Sequence, residues 1–89
     1  MLHLNGTLTC KTAQDAELFA AHMPDHIALS RAEPGCLKFE VTQVDALTWR
    51  LSETFTDRAA FEAHGTRTAA SAWASVRLDV VRDFQITED

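Results

Sequence analysis

Leu2, Leu4 and Leu8 alternate with His3, Asn5, Thr7 and Thr9, the two-residue period of a strand with one buried face, over residues 2 to 10. Gly6 interrupts the apolar face and predicts either a bulge or a close approach by another backbone. From Thr12 the period lengthens: Ala16, Phe19, Ala20, Met23 and Ile27 fall three or four apart, which predicts a helix reaching about Arg31. Thr12 is placed to cap it, and Asp15 and Glu17 sit where the helix dipole favours negative charge. Pro24 predicts a kink, or the start of a second helical piece. In Ala32-Glu33-Pro34-Gly35-Cys36, Pro34 disfavours the α region for Glu33 and Gly35 can take φ > 0, so the helix should stop and a strand begin.

That strand runs from about Cys36 to Val44, with Leu37, Phe39 and Val41 on one face and Lys38, Glu40 and Thr42 on the other. After a turn at Asp45-Ala46, a third strand, Thr48 to Phe55, places Trp49, Leu51, Glu53 and Phe55 on one side and should pair with the second as a hairpin. Thr56-Asp57 caps a second helix in which Ala60, Phe61 and His64 share a face. Gly65-Thr66 predicts a break and a fresh cap before a further apolar stripe of Ala69, Ala70 and Trp73. A last strand, Val76 to Ile86, aligns Val76, Leu78, Val80 and Phe84. The order β-α-β-β-α-β predicts an α+β, ferredoxin-like domain: a four-stranded antiparallel sheet with both helices on one face. The opposite face is expected to offer apolar side chains from the last strand, and a second copy of the chain would be their natural cover.

Length supports that expectation, because 89 residues make a single domain, residues 1–89, of a size at which one core is marginal. Net charge is −5, with the eight Lys and Arg scattered, so the basic face of a nucleic-acid binder is missing. No apolar run approaches the roughly 20 residues that span a bilayer, and Met1–Gly6 has neither the basic start nor the apolar core of a secretion signal, so a cytoplasmic protein is expected. Cys10 and Cys36 form no Cys-x-x-Cys pair and read as reduced, buried thiols. His3, His22, His26 and His64 are dispersed. His22 and His26 have the spacing of a helical metal pair, but Pro24 lies between them and no third ligand is evident, so no metal is expected. Phosphate-loop, nucleophile-elbow and dinucleotide motifs do not occur.

Three ordered segments resemble a known family: His26 to Leu37 (HIALSRAEPGCL), Leu51 to Asp57 (LSETFTD) and Ala60 to His64 (AFEAH). Together they are similar to the antibiotic biosynthesis monooxygenase family of dimeric α+β barrels. The resemblance implies a ferredoxin-like protomer, a homodimer with facing sheets and a small apolar cavity between sheet and helices. It also implies, for some members, oxidation of polycyclic phenols or quinols by molecular oxygen with no metal, flavin or haem. At the positions where the polyketide-oxidising branch presents an Asn, a Trp and a Tyr, this chain has Leu51, Phe55 and Phe61. The haem-degrading branch has Trp before His along the second helical region; here His64 precedes Trp73.

His64 matches the histidine many members carry near the end of this helix. An imidazole titrating near neutral pH could take a proton from a phenol, leaving the anion that reacts with oxygen. The alternative is a structural histidine bonded to a carbonyl or to a partner chain. Glu53 shares its strand face with Trp49, Leu51 and Phe55. If buried, it must either pair with an arginine such as Arg31, Arg50 or Arg77, or carry a raised pKa and serve as a second base. Trp49, Phe61, Trp73, Met23 and Phe55 are the candidate walls of a pocket for a flat aromatic, with plain core as the alternative. The expected function is a cofactor-independent monooxygenase acting on a small aromatic. A non-catalytic small-molecule-binding or stress-response dimer, or a haem-binding or isomerase relative, are the alternatives.

Overall fold

A computed structural model of the chain describes residues 1–71 and 80–89. The elements are β1 (Leu2–Thr9), α1 (Ala13–Arg31), β2 (Cys36–Gln43), β3 (Thr48–Phe55), α2 (Arg58–Ala69) and β4 (Val81–Glu88). The strands form one antiparallel sheet in the order β2-β3-β1-β4, the ferredoxin-like arrangement expected of the pattern. Leu2, Leu4 and Leu8 of β1 and Trp49, Leu51 and Phe55 of β3 are buried on the face that meets the helices, with Phe19 and Met23 of α1 packed over them.

Several local expectations change. α1 is one helix of 19 residues that carries Pro24 in its interior. Pro24 and Ala20, whose carbonyl loses its helical partner, both lie on the exposed side, where water can serve that carbonyl. α2 likewise runs through Gly65 and Thr66 without the predicted break, and Ala69 and Ala70 are exposed. Its buried positions are His64 and Thr68, so the inward face of this helix is polar. Gly35 does not use a positive φ. Its value is space: a Cβ there would lie 2.3 Å from the Ala60 Cβ, so the glycine lets the first turn of α2 close on the entry to β2.

β2 carries a bulge. Cys36 pairs with Phe55 and Lys38 with Thr54, so Leu37 is the extra residue and is 55% exposed rather than aligned with Phe39 and Val41. β4 is described from Val81 and ends at Glu88, two residues past the predicted end; its predicted start at Val76, with Leu78, lies outside the described residues.

The uncovered face of the sheet is largely polar, contrary to expectation. Register places Phe84 opposite Gly6 and Ile86 opposite Leu4, so these two side chains share the helix-facing side with the buried leucines, while Val81, opposite Thr9, is the exposed apolar residue of β4 on the other side. The other side carries Asn5, Thr7, Arg50, Ser52, Asp83 and Gln85 around a shallow groove. Of the side chains expected to await a partner, Val80 is buried in the core and Phe84 borders the pocket side, while Val76 and Leu78 lie outside the described residues.

Gly6 is a point of close approach, without a bulge. A Cβ on it would lie 2.1 Å from the Asp83 carbonyl oxygen and 2.8 Å from the Phe84 ring. The Phe84 side chain thus lies across β1 at this glycine. Gly6→Ala must push β4 outward, and an overpacking cost of about 1–3 kcal/mol is expected in urea unfolding. A variant as stable as the wild type would contradict this role.

Candidate functional site

Between β4 and α2, on the helix-facing side of the sheet, lies a pocket of about 200 Å³. Leu4, Leu8, Leu51, Phe61, Phe84 and Ile86 make its apolar walls. His26, Glu53, His64, Thr68 and Arg82 supply the polar groups. The size suits a small ring system, and few polar groups among apolar walls are what orient a ligand.

The local sequence sets this arrangement. Asp57 caps α2 by accepting the Ala60 amide at 2.8 Å, and from that start Phe61, His64 and Thr68 recur at helical spacing toward the sheet. The Thr68 hydroxyl donates to the His64 carbonyl at 2.7 Å. The His64 ring packs against Phe55, Phe39 and His26 at centroid distances of 5.2, 5.5 and 5.8 Å, so its plane is fixed by aromatic neighbours.

Two carboxyls flank that ring. His64 Nδ1 lies 2.6 Å from Glu33 Oε1, the length of a strong charge-assisted hydrogen bond. On the other side, His64 Nε2 lies 3.9 Å from Glu53 Oε1, beyond hydrogen-bond length, and both side chains border the pocket. Glu53 is 5% exposed. Burial, and secondly the negative charge of Glu33, push its carboxyl up to about 7. The expected arginine pairing is not what the structure has. Arg31 Nε donates to the Phe39 carbonyl, Arg50 is exposed on the opposite face of the sheet, and Arg77 lies outside the described residues. A carboxyl poised near neutrality beside an imidazole can accept, hold or return a proton at a pocket wall.

Further groups extend the cluster. Arg67 Nη2 reaches Ser30 Oγ at 3.0 Å and Glu33 Oε1 at 3.4 Å, and the Ser30 hydroxyl donates to the His26 carbonyl at 2.7 Å. Apolar spacing alone does not point to Glu33, Arg67 or Ser30, and His26, weighed above only as half of a helical metal pair, instead borders this cluster. Their signal was nonetheless present: the buried positions of α1 are Ala16, Phe19, Met23, His26 and Ser30, a spacing of three and four that continues while the residue type turns polar.

Of the candidate residues, His64, Glu53 and Phe61 line the pocket. Phe55 is wholly buried behind it, against Phe61 and His64. Trp49 and Met23 belong to the core, where Trp49 meets Phe19 at a centroid distance of 4.8 Å. Trp73 lies outside the described residues. Cys10 is buried and Cys36 half-buried, both free, and burial raises both thiols above their usual range. Among the described residues, no group of three or more His, Cys, Asp or Glu is arranged to hold a metal ion, and no helix is long and apolar enough to cross a membrane.

A family model described as antibiotic biosynthesis monooxygenase matches residues 1–76. Among solved structures, a candidate antibiotic biosynthesis monooxygenase from Deinococcus radiodurans is similar at a TM-score of 0.75 and 20% identity, over 100% of this chain and 92% of that one. A second, from Nitrosomonas europaea, gives 0.74 and 19%, over 98% and 97%. MupZ from Pseudomonas fluorescens gives 0.80 at 15% identity, over 96% of this chain and 65% of that protein. At these identities the likeness is one of fold. No curated protein sequence matches.

Proposed function

Because the chain belongs to the antibiotic biosynthesis monooxygenase family, we propose that it is a cytoplasmic homodimer that oxidises a small quinol- or phenol-like aromatic with molecular oxygen and no added cofactor. The observation that carries this reading is the Glu53–His64 pair at the wall of an otherwise apolar pocket. A phenol bound between Phe61 and Phe84 would present its hydroxyl to that pair. Transfer of the hydroxyl proton to His64 Nε2 leaves a phenolate, whose electron-rich ring is the species that reduces oxygen. One oxygen atom enters the ring and the other leaves as water. The two hydrogens of that water come from the hydroxyl and from the attacked ring carbon, so the substrate supplies all the electrons and a phenol ends as a quinone. The apolar walls exclude water from the anion. Free cysteines suit a reducing compartment.

Oxygen uptake in the presence of a panel of polycyclic quinols and phenols tests the proposal. Wild type should consume oxygen with at least one of them and His64→Ala should not. No uptake by wild type on any member, with saturable binding retained, would favour the non-catalytic binding reading instead. Sizing at low micromolar concentration should give twice the 9.9 kDa chain mass, and a monomer would contradict the dimer.

A further inference from the structure

Glu33 takes no part in the proton transfer above, yet its 2.6 Å contact with His64 Nδ1 is shorter than any other polar contact described around the pocket. We propose that Glu33 is a positioning residue: its carboxylate holds His64 as the Nδ1–H tautomer, so that the unprotonated Nε2 faces the pocket, and Arg67 holds the carboxylate in place.

The two carboxyls beside His64 compete for the single proton of the neutral ring. Glu33 Oε1 is within hydrogen-bond length of Nδ1, whereas Glu53 Oε1 stands 3.9 Å from Nε2, so the proton belongs on the Glu33 side. Glu53 competes poorly for a second reason, since burial favours its neutral form. Arg67 strengthens the preference. Its Nη2, 3.4 Å from Glu33 Oε1 and 3.0 Å from Ser30 Oγ, keeps a positive charge against the carboxylate and fixes its position.

The backbone anchors Glu33 as firmly. Its amide donates to the Ser30 carbonyl at 3.1 Å, its carbonyl accepts from the Cys36 amide at 3.0 Å, and Pro34-Gly35 follows, with the Gly35 carbonyl accepting from the Thr56 amide at 2.9 Å. The turn between α1 and β2 is therefore tied to the start of α2, the helix that carries His64. When Nε2 takes a proton, the resulting imidazolium rests against a carboxylate already in place.

The claim relies on the proposed function only for what Nε2 does; the ring's protonation pattern can be read without a substrate. Long-range ¹H–¹⁵N spectra of ¹⁵N-labelled protein, at a pH where the ring is neutral, should show His64 protonated on Nδ1. Glu33→Ala removes the acceptor of the Nδ1 proton and leaves on that side the Arg67 guanidinium, which shares Glu33 Oε1 with Nδ1 and favours a lone pair near it, so the Nε2–H form should become the main one. Glu33→Asp, which keeps the acceptor, should restore Nδ1–H. Where turnover is measurable, Glu33→Ala should lose at least roughly 10-fold in kcat, the lower end of what partners that orient metal-bound histidines are worth, and Glu33→Asp should recover part of it. Thermal unfolding of each variant separates a lost fold from a lost tautomer. A wild-type ring protonated on Nε2 would overturn the proposal whatever the variants do, as would a folded Glu33→Ala protein that keeps Nδ1–H. Absence of turnover in wild type, with the tautomer as stated, would overturn the monooxygenase reading alone.

Discussion

Replacing His64 by glutamine is expected to lower quinol-dependent oxygen consumption by roughly two to four orders of magnitude, the usual worth of a positioned general base, while the protein stays folded. Glutamine is chosen because its amide N–H can still donate to Glu33, whose carboxylate would otherwise lose the ring N–H it binds at 2.6 Å. It also keeps a side chain of similar length among Phe39, Phe55 and His26, where alanine would leave a cavity. What glutamine cannot do is take a proton. Oxygen-electrode rates and a urea unfolding curve on the same preparation decide the matter: unchanged turnover in a folded variant would remove His64 from the chemistry.

The second large effect concerns stability. The Glu53 carboxyl is about 7 in the folded chain against an ordinary 4.5, so the folded state holds this proton more tightly than the unfolded chain does. The stability associated with the neutral form is present below pH 4.5 and is lost as pH rises through about 7. The full difference is about 3 kcal/mol. Glu53→Gln carries no such ionisation, so relative to wild type the variant should gain about 3 kcal/mol between pH 4.5 and pH 8. Taking the difference between the two proteins cancels the titration of groups they share. Urea unfolding at the two pH values reads it directly, and a difference independent of pH would mean that the carboxyl is paired and ionised throughout. The same substitution should slow turnover, since the pocket then has one proton-accepting group instead of two.

Alternation and helical spacing carried most of the fold. β3 fell at its predicted bounds, Thr48 to Phe55, because period two with aromatic and branched residues has few other solutions. Departures arose where one residue changes parity or polarity. Nothing in Cys36-Leu37-Lys38 announces a bulge, yet a single extra residue carries Leu37 out of line and brings Cys36 opposite Phe55. Register decided the fate of Phe84 and Ile86 in β4, which could have faced either way until Phe84 was paired with Gly6. As for the site, His64 and Glu53 stood out as ionisable groups on apolar faces. Glu33 did not, because it sits in a turn and meets His64 only through tertiary packing, 31 residues away. Arg67 was equally hidden, because a single arginine between Thr66 and Thr68 gives no sign of the carboxylate it meets.

The most direct measurement is the absorption spectrum of a polycyclic phenol titrated with the protein under argon, at a pH below the phenol's own pKa. Without oxygen, binding and proton transfer are seen apart from the oxidation. Wild type should bind the phenol saturably and bring up the phenolate band, and His64→Gln should bind it with the neutral spectrum retained. A phenol that binds wild type yet stays neutral would contradict the assignment of the Glu53–His64 pair as the acceptor of the substrate proton.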